Sequence, residues 1–93
     1  IDIRTMVPFD LETVVNSVKK TGRVLIAHED VVFAGFGAEI AAQIADAAFE
    51  HLDAPVRRVG GAPSPIPYNW FLEANVLPQD HHVLRAAEEL VAF

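Results

Sequence analysis

The sequence predicts an α/β fold, a three-layer αβα sandwich with a mostly parallel sheet. Two stretches with strand character, residues 23–28 and 56–59, are separated by one long amphipathic helical pattern. The first stretch is almost continuously apolar, as expected of a strand covered by helices on both faces. Strand–helix–strand passages of this length favour parallel strands joined by right-handed crossovers. A chain of 93 residues supports one domain with a modest core.

The N-terminal part is expected to hold a strand and a helix. Ile1 and Ile3 would share one face of a short strand over residues 1–5. Pro8 would lead the chain out of the sheet, because proline cannot donate a ladder hydrogen bond. Asp10 is a suitable N-cap for the helix that follows, and Gly22 is a suitable stop. The apolar residues of this helix recur at helical spacing, and they are Leu11, Val14, Val15 and Val18.

The predicted strand over residues 23–28 is followed by a loop that starts at Glu29 and closes with Gly35 and Gly37. A second helix comes next, because apolar residues again recur every three or four positions. These are Ile40, Ala41, Ile44, Ala45, Ala48, Phe49 and Leu52. One broad apolar stripe of this kind indicates a helix packed on the sheet.

The C-terminal third begins with the short strand over residues 56–59. Residues 60–68, GGAPSPIPY, are predicted to be an irregular connector, because alternate prolines remove backbone donors and favour extended geometry. Residues 70–72 are expected to be an apolar anchor. Asp80 would cap the last helix. Its expected inner face carries Val83, Leu84, Ala87, Leu90 and Val91.

Composition argues against several classes of function. The formal net charge of −6 at pH 7 disfavours general nucleic-acid binding, because phosphate contacts need a basic surface. No apolar run approaches the roughly 20 residues of a membrane-spanning helix. Without cysteine there is no disulfide framework and no thiolate metal site. We therefore expect a cytoplasmic domain, and the hydrophobic fraction of 52% suggests that some apolar surface faces a partner.

Two stretches have features of known chemical sites. Residues 35–37, GFG, lie between a predicted strand and a predicted helix, as in a dinucleotide-binding turn. The third glycine of that motif is absent and Glu39 would repel a phosphate, so a plain glycine turn is favoured. Residues 28–30, HED, follow the central strand at the edge where open α/β sheets bind ligands. Adjacent side chains cannot all converge on one metal ion, so an interface role is favoured over a direct chemical one.

Separated motifs along the chain also carry a family resemblance. They are IDIRT and VPFD within residues 1–10, HE at 28–29, GFGAEI at 35–40, AP and RV within 54–59, PIPY at 65–68 and LP at 77–78. In this order they resemble the C-terminal, transketolase-type domain of the E1 β subunit of thiamine-diphosphate-dependent 2-oxo acid dehydrogenases. This group includes the pyruvate, acetoin and branched-chain enzymes. The resemblance runs through the whole chain.

The resemblance implies that residues 1–93 are a transketolase C-terminal-like domain of a longer β subunit, whose first βα element precedes Ile1. The parent enzyme would use thiamine diphosphate and Mg²⁺ to decarboxylate a 2-oxo acid oxidatively and pass the acyl group to lipoyl-E2. This segment would bind no cofactor or metal and contain no catalytic residue. Its role would be assembly, in an oligomer with the E1 α subunit, a second β subunit and the E2 acyltransferase.

Six residues are our candidates for contacts with such partners: His28, Glu29, Phe36, Arg58, Tyr68 and Phe93. Two other readings stay open. The domain could belong to another transketolase-type enzyme, such as a transketolase or a deoxyxylulose-phosphate synthase. It could also be a stand-alone α/β module that binds a small anionic ligand at the glycine turn.

Overall fold

Two parallel strands, β1 (Leu25–Val31) and β2 (Arg57–Gly61), form the centre of the domain. The computed structural model describes residues 1–64 and 68–93. Leu25 pairs with Arg57, and the register shifts between Ala27 and Val31, which pairs with Gly61. The other elements are α1 (Leu11–Thr21), α2 (Phe36–Ala48), a 3-10 helix (Phe49–His51), α3 (Trp70–Val76) and α4 (Asp80–Ala92). The predicted parallel pairing is confirmed.

Helix α1 begins and ends where its capping residues indicate. The Asp10 carboxylate accepts hydrogen bonds from the Thr13 backbone N–H at 3.2 Å and from the Thr13 hydroxyl at 2.7 Å. Gly22 has a left-handed φ of 70°, and its N–H donates to the Val18 carbonyl at 2.8 Å. An N-cap acid and a C-terminal glycine together satisfy backbone groups that a helix leaves unpaired at its ends.

The hydrophobic core lies between α1, α2 and one face of the sheet. Five residues of the two helices form a buried cluster, and they are Val14, Val18, Ile40, Ile44 and Ala48. Ile26 of β1 packs against this cluster, and so do Val24 and Val56, which directly precede β1 and β2. The apolar stripe of each helix therefore packs against the other helix and against residues in and next to the strands.

Helix α4 supplies the third layer of the sandwich. It contacts both strands, and within the described ranges it has no comparable contact with α1 or α2. Leu90 is buried, and its carbonyl accepts a hydrogen bond from Arg23 Nε at 3.1 Å. The Arg23 guanidinium also lies 3.9 Å from the Asp53 carboxylate. The three-layer αβα arrangement predicted from the sequence is thereby confirmed.

The expected strand over residues 1–5 is wrong. These residues form no regular structure, because no strand in the described part of the chain pairs with them. Ile1 and Ile3 lie across from β1 instead. With Leu25 and Ala27 they line a groove of about 250 Å³.

The elements around the β1–α2 junction extend beyond their predicted ends. β1 starts at Leu25 and continues through Val31, and α2 begins at Phe36 with Gly35 as its N-cap. Gly60 and Gly61, predicted to be irregular, belong to β2. A Cβ atom at Gly61 would lie 2.9 Å from the Glu29 carbonyl oxygen, so glycine allows the two strands to approach there. Residues 65–67 of the predicted connector lie outside the described residues.

Three large side chains predicted to be on inner helix faces are exposed. Phe49 is 75% exposed, because α2 changes to a 3-10 helix at this residue and the apolar stripe loses its period. On α4, Leu84 and Val91 face away from the strands, whereas Leu90 is buried. The 3.6-residue pattern locates a broad stripe but does not decide which of its edges meets the sheet.

The ends of the last two helices also differ from expectation. Residues 70–72 form the exposed start of α3 rather than an apolar anchor. This helix is attached at its other end, where the Ala62 N–H donates to the Val76 carbonyl at 2.8 Å. Gln79, not Asp80, is the N-cap of α4, because the His82 ring accepts the Gln79 N–H at 2.9 Å and completes a capping box.

Replacing Ile44 by alanine tests the position of the core. Ile44 is 1% exposed, so its truncation should lower the free energy of unfolding by about 2–5 kcal/mol. Leu84→Ala removes a side chain from an exposed position of α4, so it should change the free energy of unfolding by less than about 0.5 kcal/mol. Urea unfolding followed by circular dichroism measures both. Equal losses of unfolding free energy in the two variants would contradict the placement of Ile44 in the core and Leu84 on the surface.

The Asp10 cap predicts a pH dependence. Its hydrogen bonds with Thr13 lower the pKa of the Asp10 carboxyl. A lowered folded-state pKa contributes stability above the unfolded-state pKa, near 4, that is lost as pH falls through the folded-state value. Asp10→Asn keeps an acceptor without the charge, so its melting temperature should fall less than that of the wild type between about pH 6 and 2.5. An equal fall in the melting temperatures of the two chains over this range would refute the contribution of the Asp10 charge to stability.

Candidate protein interface

The carboxyl ends of the two strands meet the start of α2 at the His28 side chain. His28 Nδ1 lies 2.9 Å from the Asp30 carbonyl oxygen. A carbonyl oxygen only accepts hydrogen bonds, so this contact requires a proton on Nδ1. Nε2 is shielded from solvent and has no hydrogen-bond partner among the described residues. His28 therefore does not present this nitrogen to a substrate.

Three glycines make room for the His28 ring. A Cβ atom at Gly37 would overlap Nε2 and Cδ2 of the ring, and one at Gly60 would lie 2.8 Å from Cε1. A Cβ atom at Gly35 would lie 3.3 Å from Cε1 and would overlap the Val31 carbonyl oxygen. The first turn of α2 thus lies directly on the end of β1. The GFG turn serves a close packing contact here, as the plain glycine-turn reading predicts.

The loop between β1 and α2 is short and held by several contacts. The Val32 N–H donates to the Gly61 carbonyl at 3.1 Å, and the Val32 carbonyl accepts from Arg58 Nη1 at 2.7 Å. The Asp30 side chain accepts the Val31 N–H at 2.8 Å. Ala34 adopts a left-handed φ of 58°, which is costly for a residue with a Cβ atom.

Phe33 lies at the outer side of this loop and is 80% exposed. Phe33 belongs to no helical or strand period, so no periodic pattern in the sequence predicts its role. The available signal was a large apolar residue inside a predicted loop. Exposed aromatic side chains of this kind are enriched in protein–protein contacts.

Further exposed apolar residues follow along the C-terminal part of the chain. Trp70 and Phe71 meet edge to face, with ring centroids 6.0 Å apart, on the exposed start of α3. The other members of this group are Tyr68, Leu72, Leu84, Val91 and Phe93. The paired rings of Trp70 and Phe71 form a joined apolar surface, which is more typical of contact with another macromolecule than of contact with water.

The six candidate interface residues are not equivalent in the structure. Glu29, Arg58, Tyr68 and Phe93 are exposed, whereas His28 and Phe36 are half-buried. Phe36 packs against the core cluster, and His28 lies in the glycine-lined slot. The β1–α2 junction brings His28, Phe36 and Arg58 into one region. Their contacts with partners stay predictions.

Within residues 1–64 and 68–93, no three histidine or acidic side chains lie close enough together to hold a metal ion. The first turn of α2 carries Glu39, which the Gln43 side chain contacts at 3.2 Å. A carboxylate at a helix N-terminus opposes the binding of a phosphate group there. No helix in these ranges is both long enough and apolar enough to cross a membrane.

Comparison with known families gives one match over nearly the whole chain. The family model described as "Transketolase, C-terminal domain" matches residues 1–90. This match agrees with the α/β sandwich and with the order of the sequence motifs. The resemblance inferred from those motifs is confirmed.

Individual relatives carry more specific names. The chain is 46% identical over 90 residues to "Pyruvate dehydrogenase E1 component subunit beta" of Rickettsia bellii, covering 97% of this chain and 28% of that protein. It is 45% identical over 93 residues to "2-oxoisovalerate dehydrogenase subunit beta 2, mitochondrial" of Arabidopsis thaliana, covering 100% of this chain and 25% of that protein. A 2-oxoisovalerate dehydrogenase β subunit of Pseudomonas aeruginosa is 52% identical over 68 residues, which are 73% of this chain and 19% of that protein. The chain thus spans about a quarter of the length of the first two relatives.

Gly37→Ala tests the contact between His28 and α2. The added Cβ atom should overlap the His28 ring and lower the free energy of unfolding by about 1–3 kcal/mol. In a His28→Ala background the ring is absent, so the same substitution should be neutral, or stabilising through the higher helix propensity of alanine. Urea unfolding of the four chains measures the coupling. An equal cost of Gly37→Ala in both backgrounds would rule out this contact as its cause.

Proposed function

Since the chain belongs to the transketolase C-terminal domain family, we propose that it forms the assembly domain of a 2-oxo acid dehydrogenase E1 β subunit. The 46% identity to a pyruvate dehydrogenase E1 β subunit over 97% of the chain is the observation that carries the proposal. The cytoplasmic location expected from the sequence belongs to the same proposal.

The proposed parent enzyme decarboxylates a 2-oxo acid oxidatively and transfers the acyl group to a lipoyl arm of E2. Pyruvate and 2-oxoisovalerate are the substrates to compare, because both appear in the names of the relatives. This sequence does not distinguish between them, because it is similar to both kinds of β subunit at nearly equal identity.

Thiamine diphosphate supplies the carbanion-stabilising chemistry that such a decarboxylation requires. The residues described here do not fit the cofactor or its metal ion. Glu39 places negative charge at the α2 N-terminus, and the described acidic and histidine side chains form no metal-binding group. We assign cofactor binding to the remainder of the parent subunit and to its α partner.

The proposed role of this domain is to form contacts between subunits. Three features support it: exposed aromatic residues at the start of α3, exposed apolar residues on α4, and Phe33 on the β1–α2 loop. Covering such residues in an interface removes apolar surface from water, which is the main favourable term in most protein association. The partners in this proposal are the E1 α subunit, a second β subunit and E2.

Reconstitution of the parent enzyme tests the proposed function. The full-length subunit that contains this domain is mixed with its α partner, and reduction of an artificial electron acceptor is followed with pyruvate and with 2-oxoisovalerate. We expect turnover that requires both chains and thiamine diphosphate, with a clear preference for one acid.

The matched control is the same β subunit with residues 1–93 deleted, provided that its remaining domain still shows native circular dichroism. We expect this control to form no stable complex with the α chain. Turnover at the wild-type level without the domain would reject its assembly role. No turnover by fully assembled wild-type chains on either acid would reject the enzyme assignment.

A further inference from the structure

Phe33 combines high exposure with a restrained backbone. Its side chain is 80% exposed, yet both neighbouring residues are fixed. On one side, the Val32 N–H donates a hydrogen bond to the Gly61 carbonyl, and the Val32 carbonyl accepts one from the Arg58 side chain. On the other side, Ala34 has a left-handed φ and is followed by the α2 N-cap, Gly35. Phe33 is therefore an exposed aromatic side chain on an ordered backbone.

The restraints have a thermodynamic consequence for binding. A loop that is already ordered loses little conformational entropy when its tip enters a pocket, so more of the contact energy appears as affinity. Backbone strain at a non-glycine residue such as Ala34 persists only where the surrounding structure enforces it, and it concentrates at functional positions. Exposure, restraint and strain together are the properties of an anchor residue.

Charge indicates what kind of surface receives this anchor. Two exposed carboxylates, Glu29 and Asp30, precede Phe33, and one exposed guanidinium, Arg58, lies beside the loop. Their sum is negative, and so is the net charge of −6 of the whole chain. A complementary surface is therefore apolar at its centre and basic around it. A two-fold contact between identical loops would instead bring four carboxylates together.

We infer that Phe33 anchors a contact with a different subunit, inserting into an apolar pocket that has a basic rim. This inference rests on the proposed function and deepens it, because it commits to the α chain, one of the three proposed partners, as the occupant; a second β chain or E2 at this loop is an outcome of the test that would overturn it. Arg58 is a positioning residue in this contact, since it acts on the backbone that carries Phe33. Its side chain holds the Val32 carbonyl at 2.7 Å.

Phe33→Ala in the full-length subunit tests the anchor directly. The dissociation constant of the α–β complex should rise about 10- to 100-fold, as expected when an aromatic anchor is truncated. Phe49→Ala is the matched control, because Phe49 is a phenylalanine of similar exposure, 75%, at the opposite end of α2. The control should stay within about twofold of the wild type. Neither variant should change the melting temperature of the free subunit, because both side chains are exposed.

A double-mutant cycle tests the positioning role of Arg58. Arg58→Ala should weaken the α–β complex and speed hydrogen exchange at the amide of Val32, which donates to the Gly61 carbonyl, while Arg58→Lys should restore part of the affinity. In a Phe33→Ala background, Arg58→Ala should have little further effect on affinity, because the loop then has no anchor to place. Additive losses from the two substitutions would reject the positioning role.

The outcomes separate the two proposals. If wild-type chains assemble and turn over, but Phe33→Ala behaves like Phe49→Ala, the anchor is refuted and the proposed function stands. If Phe33→Ala weakens only β–β association, the occupant is a second copy and our assignment of the α chain is wrong. If wild-type chains fail to assemble, both proposals fall.

Discussion

The close contact between the His28 ring and the first turn of α2 is the constraint on which the rest of this domain depends. The ring fits because Gly35, Gly37 and Gly60 carry no Cβ atoms, and its Nδ1–H is held by the Asp30 carbonyl. This contact brings the start of α2 directly onto the end of β1. Ile40 and Ile44 then lie over the sheet in contact with α1. The buried Nε2, which has no hydrogen-bond partner within residues 1–64 and 68–93, is the unfavourable part of the arrangement.

The same contact shapes the surface of the domain. Because α2 starts so close to β1, only a few residues connect them, and the chain turns through a left-handed alanine to do so. The apolar side chain of that short connection, Phe33, is exposed. A packing requirement inside the domain thus produces a rigid, exposed aromatic residue outside it. The proposed Phe33 contact would thus depend on the packing inside the domain.

The sequence was sufficient for the fold class and for most of the core. Helical periods in α1 and α2 pointed to Val14, Val18 and Ile44, because a buried stripe repeats where two helices face each other. The start of α3 and the outer residues of α4 were predicted to be buried and are exposed. An apolar stripe does not show whether its partner is the same chain or another one. Phe33 had no period at all, and its restraints come from β2, which is distant in sequence. Contacts of that kind are set by tertiary structure and leave no local pattern.

The distribution of apolar residues couples stability to assembly. Among the described residues, large hydrophobic side chains are more often exposed than buried, and the buried set is concentrated between α1 and α2. The C-terminal helices contribute only Leu90 to the fully buried residues. A partner that covers α3 and α4 binds the folded state and not the unfolded chain, so it adds stability by mass action. The proposed assembly role would therefore explain how this part of the domain remains folded with so little core of its own, because a partner would supply the missing contacts.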